Sequence, residues 1–417
     1  MRDAIVVGAG PAGSAAGCFL ARGGMKPLVL ERETFPRFAI GESLLPGGNG
    51  VLAELGILGE LESAGFVKKF GADFCTGDGA QPNRFWFRNA LGDENAQTYQ
   101  VDRARFDHIL AQRAAADGCE ILEGAKVTGI SENGTDSVVV RFEHGGREHE
   151  ETARWLIDAS GREGIAGRLL EHSRIPTRDR KMVAIYGHFS GVQRESGEAG
   201  GQTVIVRFKE GWFWLIPLAD GKTSVGVVIP PGMLRGHGGD LAKIFDSCVA
   251  ANPNVAARME SAQALMPLRA TADYSWRHRK FAARRVVFAG DAAGFVDPIF
   301  SSGVMLALKS GRMSAQMVLR ADAAGRELSA RECNRYTREV GRWMRLYGRI
   351  IASFYGRAGF EVFMHPMPFL GIPRSVGLLV GGMTELAFPE RLRLVAFALV
   401  CRIQKVLNLV PPIPSLR

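Results

Sequence analysis

The sequence predicts an α/β fold: a Rossmann-like dinucleotide domain with an inserted antiparallel β-sheet and a C-terminal helical region. Three observations predict it. An apolar strand at the N-terminus runs into Gly8-Ala9-Gly10-Pro11-Ala12-Gly13 and then a helix-like stretch. A second short apolar strand, Val286 to Ala289, runs into Gly290-Asp291 much later in the chain. Between them, residues 181–230 read as short strands with a hairpin signal. The 417 residues, 46% hydrophobic with 51 glycines, suit an enzyme of this class. We expect a nucleotide domain over 1–330, discontinuous at about 1–180 and 270–330, with a substrate sheet inserted at about 181–269 and helices over 331–417.

Taken in order, Ala4-Ile5-Val6-Val7 is apolar throughout, which fits the centre of a parallel sheet. Gly8 makes the tight turn, Gly10 lets backbone approach a pyrophosphate, and Gly13 lets helix and strand close together. The helix runs to about Arg22, and Lys26 to Leu30 forms the next strand, with Glu31 at its end to accept from ribose hydroxyls. The β-α-β context turns a weak motif into a dinucleotide site, but it does not separate FAD from NAD. Arg37 then precedes Gly41-Glu42-Ser43-x-x-Pro46, Arg103 opens a helix, and Leu156-Ile157-Asp158 ends a strand before Ala159-Ser160-Gly161-Arg162.

A fingerprint for one end of a dinucleotide, with a Gly-Asp about 280 residues later, resembles the FAD-dependent oxidoreductases of the para-hydroxybenzoate hydroxylase fold over residues 1 to about 330. The resemblance implies FAD, held by Gly8, Gly10, Ala12, Gly13, Glu31, Arg32, Arg37, Glu42, Ser43, Arg103, Asp158, Gly290, Asp291, Pro298 and Gly303. Asp291 would bond the ribityl chain.

Strands are expected at Val183–Phe189, Thr203–Phe208, Trp212–Leu218 and Thr223–Ile229, with Asp220-Gly221 turning the last two. Trp212 and Trp214, two apart, point to one face. Such a pair is by default a core pair. However, Trp212-x-Trp214-x-Ile216-Pro217 and Phe295-x-x-Pro298-x-x-Ser301-x-Gly303 both resemble motifs of the flavin-dependent halogenases.

That resemblance implies Trp212, Trp214 and Pro217 near the flavin and a halide at the amides of Ser302 and Gly303. Backbone amides offer positive potential to an anion without an oxidisable side chain. The family's K-x-G falls at Lys69-Phe70-Gly71, which makes Lys69 catalytic and Lys68, facing the other way on an extended chain, solvated. The implied reaction uses FADH2 from a separate flavin reductase (this chain carries one fingerprint), O2, and chloride or bromide. Hypohalous acid would be polarised by the Lys69 ammonium or captured as a haloamine. An electron-rich aromatic of phenol or pyrrole type, free or tethered to a carrier protein, would take the halogen. Met305 after Ser-Ser-Gly-Val, and Asp73-Phe74-Cys75-Thr76-Gly77 after the lysine motif, depart from the family pattern. A monooxygenase or reductase of the same fold is the alternative enzyme, and a flavin-binding accessory protein the alternative from another class.

Charge is uneven. Residues 331–417 carry 13 Lys+Arg against 5 Asp+Glu, most of the chain's net +9. Arg335, Arg338, Arg342, Arg345 and Arg349 fall on one helix face. That stripe is either a solvated face or a surface for an acidic partner, such as a carrier protein, or for a membrane. Without aromatic or Gly-rich reading elements among the basic residues, nucleic acid is not expected. Six scattered cysteines suggest a reducing cytoplasm and no metal site, and Met1-Arg2-Asp3 leads straight into a strand. The segment from Phe363 through Gly371-Ile372-Pro373 to a final apolar, basic helix resembles the tails that cover the substrate entrance in shorter pyrrole- or phenol-type halogenases. Phe85 and Phe87, alternating on a strand, are expected to share a face and line the pocket.

Overall fold

The computed structural model describes residues 1–416 apart from 80–81, 135, 171–173, 177–181, 236–237, 274–275 and 368–370. Its first sheet runs, edge to edge, through strands Ala282–Ala283, Val286–Phe288, Arg147–Asp158, Arg2–Val7, Pro27–Leu30 and Glu120–Leu122. The parallel registers put Val7 opposite both Asp158 and Leu30, and Asp158 opposite Phe288. Four strands therefore stop along one edge. From that edge emerge Gly8, Glu31, Ala159 and Gly290, drawn from four distant parts of the sequence. Crevices outside the carboxyl ends of parallel strands are where this architecture binds ligands.

Two helices on this sheet pack without side chains between them at one point. A Cβ added at Gly311, on the helix Gly303–Ala323, would lie 2.3 Å from the Ala12 carbonyl on the helix Pro11–Arg22. This contact sets the middle of the 303–323 helix against the first turn of the first helix, and residues from the first turns of both, Pro11, Ala12, Gly303 and Val304, line one cavity.

The second sheet orders its strands Gln263–Ala264, Met182–Ser190, Thr223–Ile229, Trp212–Pro217, Thr203–Arg207, Gly71–Thr76 and Asn83–Trp86, with Arg269–Asp273 also pairing Met182–Ser190. The hairpin behind it turns at Asp220 and Gly221, both in the left-handed region at φ 56° and 69°. Two of its strands, Gly71–Thr76 and Asn83–Trp86, come from well before residue 181; Thr203–Arg207 recruits the first of them in parallel, Thr203 opposite Ala72. One residue upstream, Val67–Lys69 pairs instead with Thr98–Gln100. Lys69 thus sits where the chain passes from a separate two-stranded ribbon into the second sheet.

The C-terminal fifth is helical: Ala330–Tyr355, Arg357–Met364, Ile372–Val380 and Phe388–Leu407. A capping box at Ser329 and Glu332 starts the first of these. The five arginines of the stripe are exposed along it. The Ile372–Val380 helix leads into a backbone contact, where Gly47 N–H donates to the Gly381 carbonyl at 2.9 Å. A Cβ at Gly47 would meet the Gly382 carbonyl at 2.1 Å. Glycine is required there by close approach.

Candidate active site

A cavity of about 590 Å³ opens at the shared strand edge, between the two sheets. Gly8, Gly10, Ala12, Glu31, Arg32, Arg37, Glu42, Ser43, Arg103, Asp291, Pro298, Gly303, Trp212 and Trp214 all line it. Their seams are tight. Gly8 lies at φ 94°, where a Cβ would meet the Ala159 carbonyl at 2.6 Å, and a Cβ at Gly13 would lie 1.8 Å from the Gly8 carbonyl. Glu31 accepts from the Ala9 amide at 2.9 Å and faces Arg37 at 3.3 Å. Arg103 grips buried Asp107 through two bonds of 2.8 and 2.9 Å and donates to the Ile40 carbonyl at 2.7 Å, which fixes the loop carrying Glu42 and Ser43.

Asp291 projects into the cavity, where burial pushes its carboxyl up to about 6 although Arg162 and Arg103 pull it down. Glu42 is 1% exposed. Its Oε1 lies 2.5 Å from His188 Nε2, and its Oε2 has no hydrogen-bond partner among the described residues. A buried carboxylate oxygen without a partner beside an uncapped helix N-terminus is the donor and acceptor pattern that a polyol-pyrophosphate ligand completes. The residues present fit FAD.

Several expected site residues lie elsewhere. Asp158 does not reach the cavity: its carboxylate accepts from the Ser160 amide and hydroxyl and from the Ala166 amide, so it shapes the loop that carries Arg162. Gly13 and Gly290 are close-packing positions behind the lining, and Pro217 ends its strand away from it. Ser302 keeps its side chain wholly buried behind Gly303, with its hydroxyl unpartnered among the described residues, so only its main chain is left for the expected halide seat. Phe87 is not on a strand: the strand ends at Trp86 and Phe87 turns into the short helix Arg88–Leu91. Phe85 packs against Phe363 and Phe74 in a crevice beneath the terminal helices, away from the cavity.

Lys69 is buried one layer behind the wall. It is 1% exposed, donates to Ser43 Oγ at 2.8 Å and to the Leu44 carbonyl at 3.0 Å, and lies 5.4 Å from the Phe87 ring centre. Ser43 Oγ in turn is 2.8 Å from Thr203 Oγ1, and both Ser43 and Thr203 line the cavity. Burial pulls the Lys69 ammonium down to about 7. Lys68 points outward to Glu62.

The two tryptophans face the cavity with ring centres 5.9 Å apart, and Tyr186 and Phe38 continue the aromatic wall. Sequence reasoning missed what holds this wall to the halide-motif turn. Trp212 Nε1 donates to Tyr355 Oη at 2.8 Å, and Tyr355 donates to Asp297 Oδ2 at 2.8 Å. Asp297 Oδ1 caps the Ile299 amide at 3.1 Å, steadying a turn in which Ser301 takes φ 56°, costly for a non-glycine residue. His188, Thr203 and Tyr186 were missed too, since no local pattern marks them, and Arg162, quoted at the strand end after Asp158, was not singled out as a site residue.

This arrangement defines the class: a flavoprotein oxidoreductase, with a cavity between its two sheets whose residues would hold FAD. A family model described as FAD binding domain matches residues 1–316. A 1H-pyrrole-2-carbonyl-[peptidyl-carrier protein] chlorinase of Pseudomonas fluorescens is 32% identical over 345 residues, 76% of each chain. The flavin-dependent brominase Bmp2 superposes with a TM-score of 0.86 at 26% identity, over 97% of this chain and 100% of that one. A flavoprotein/dehydrogenase from Cytophaga hutchinsonii gives 0.87 at 29% identity, over 97% and 99%. The chain belongs to the flavin-dependent halogenases, with FAD as cofactor and halide and O2 as co-substrates.

Proposed function

We propose that this halogenase modifies an electron-rich ring of pyrrole or phenol type, with Lys69 delivering the halogen. The observation that carries this reading is the chain Lys69 Nζ–Ser43 Oγ–Thr203 Oγ1, which connects a buried, weakly basic amine to the cavity wall through two hydroxyls. When bound, reduced FAD supplies the two electrons by which O2 and a halide ion become hypohalous acid and water. The rest is the work of this chain's residues. The amides at Ser302 and Gly303, at the start of the 303–323 helix, would hold the halide. Gly8, Gly10 and Ala12 would face the pyrophosphate, Glu31 the ribose, and Asp291 the ribityl chain. Arg32, Arg37 and Arg103 surround this anion-binding edge. Trp212 and Trp214 would keep the ring away from the flavin.

With its ammonium at about 7, Lys69 holds or releases a proton easily near neutrality. It can donate a hydrogen bond to hypohalous acid or, as amine, accept the halogen. The name of the Pseudomonas fluorescens chlorinase, which specifies a pyrrole on a peptidyl-carrier protein, and the exposed Arg335–Arg349 stripe, which suits an acidic carrier, support a carrier-borne ring. A separate flavin reductase and a cytoplasmic setting complete the reading, the latter supported by six buried free thiols.

The test is a bromination assay with FAD, a reductase, NADH and bromide against a panel of phenols, free pyrrole-2-carboxylate and a pyrrolyl carrier protein. Brominated ring product supports the reading. Hydroxylated or reduced product in its place, with every ring, would defeat it.

A further inference from the structure

Nine large hydrophobic side chains are exposed among the described residues, and seven of them cluster between Phe388 and Leu409. On the helix Phe388–Leu407, Phe388, Leu392, Val395, Leu399 and Val406 are 71%, 53%, 61%, 55% and 79% exposed. Their spacing of 4, 3, 4 and 7 makes one stripe along about 27 Å of helix. This is not the packing face. The helix is held by the opposite side, where Phe397, Cys401 and Gln404 are buried and Gln404 donates to Glu361 Oε2 at 2.9 Å and to the Val410 carbonyl at 3.0 Å. The last helix is therefore apolar on two sides, and one of them faces outward.

Charge decides what could cover it. Arg391, Arg402 and Lys405 are exposed on the same helix. Its single acidic residue, Glu390, is 15% exposed and turned to Arg393 at 3.4 Å. A second copy packed helix to helix would bring these cations together across an apolar seam, and neither helix carries a free carboxylate to pair them; Glu385, the nearest exposed one, precedes the stripe at one end only. Protein hot spots are built on aromatic and arginine anchors seated in pockets, whereas four of the five stripe residues here are aliphatic and Phe388 stands 71% exposed at one end. A bilayer interface needs no matching shape: the ridge sinks to the acyl boundary while arginine and lysine reach lipid phosphates. The helix falls short of a span: no helix among the described residues is long and apolar enough to cross a membrane.

We propose that the outward face of the helix Phe388–Leu407 docks this enzyme on an anionic lipid bilayer. The occupant is the membrane surface; the inference is independent of the ring substrate.

Flotation of the FAD-loaded enzyme with phosphatidylglycerol/phosphatidylcholine vesicles tests it, with pure phosphatidylcholine as comparison. Binding is expected to the anionic vesicles, weakened at high salt. Arg402→Glu/Lys405→Glu should lower partitioning at least about 25-fold, each basic residue contributing about fivefold near a charged surface. Leu392→Asp/Val395→Asp/Leu399→Asp should abolish it. These positions are exposed, so flavin absorbance and melting temperature should stay unchanged and separate lost docking from lost folding. Absence of binding to anionic vesicles overturns the proposal, as does binding indifferent to both variants. A dimer seen by light scattering that the triple variant dissolves, without vesicle binding, would show that a second copy covers the face. An acidic carrier protein that binds it while vesicles do not would likewise refute the membrane reading.

Discussion

Replacing Lys69 by Met converts the buried amine into a stability measurement. The Lys69 ammonium falls from 10.5 to about 7 because burial removes its hydration. Between those values the unfolded chain keeps a proton that the native protein has released, so native stability rises with pH through that window. The penalty is full below pH 7 and gone above 10.5. At about 1.4 kcal/mol per unit it amounts to roughly 5 kcal/mol. Met has a similar length and never titrates. The lost hydrogen bonds to Ser43 and Leu44 cost about 1–3 kcal/mol, independent of pH. The Met variant should therefore be the more stable protein at pH 6.5–7, and the advantage should disappear and reverse by pH 10. Melting temperatures of both proteins across pH 6.5–10 read the difference, because all other titrating groups cancel. A difference that stays constant with pH would refute the burial argument and with it a Lys69 poised near neutrality.

Three further perturbations probe the surroundings. Tyr355→Phe removes the hydroxyl joining Trp212 to Asp297; the halide KM should rise several-fold and more reduced flavin should be spent per halogenated ring, while FAD affinity is unchanged. Steady-state kinetics at varied bromide, with oxygen consumption, check this. Arg103→Ala leaves buried Asp107 with Arg37 at 3.0 Å as its remaining cation, at a cost of about 1.5–3 kcal/mol; melting temperature should drop and FAD affinity should weaken, and equal melting curves would contradict it. Gly47→Ala forces backbone against Gly382; hydrogen exchange should quicken in 372–407 and stay unchanged in the first sheet.

The sequence revealed what is carried by local pattern. The strand–glycine turn–helix start and the Gly-Asp at 290–291 follow from local pattern, whereas the paired tryptophans and the choice of Lys69 over Lys68 come from the resemblance of their motifs to the halogenases. The structure gathers most of these residues on one cavity; Asp158, Gly13, Gly290 and Pro217 do not line it, Lys69 lies one layer behind its wall, and Ser302 keeps its side chain buried. Asp158 misled because a carboxylate at a strand end can serve a ligand or its own loop, and only the Ser160 and Ala166 amides show which. Phe87 misled because the turn to helix follows directly on the strand, with its amide bonded back to Phe70. Tyr355 and His188 could not be found from sequence. Their partners are 143 and 146 residues away, and their roles arise from topology alone. The outer stripe of the last helix was visible as apolar residues, but which side faced inward depended on Gln404 meeting Glu361.

The measurement that tests the central claim most directly separates oxidant formation from ring halogenation. Lys69→Ala, loaded with FAD and supplied with reductase, NADH and bromide, is assayed for bromination of monochlorodimedone, which traps free hypohalous acid, and for bromination of the best ring substrate. The account predicts trapped hypobromous acid at close to the native rate, unchanged FAD binding, and ring bromination lost by a factor of a hundred or more. Ring bromination that persists in the variant would contradict it, as would loss of FAD binding, which would make Lys69 a structural residue of the cofactor site.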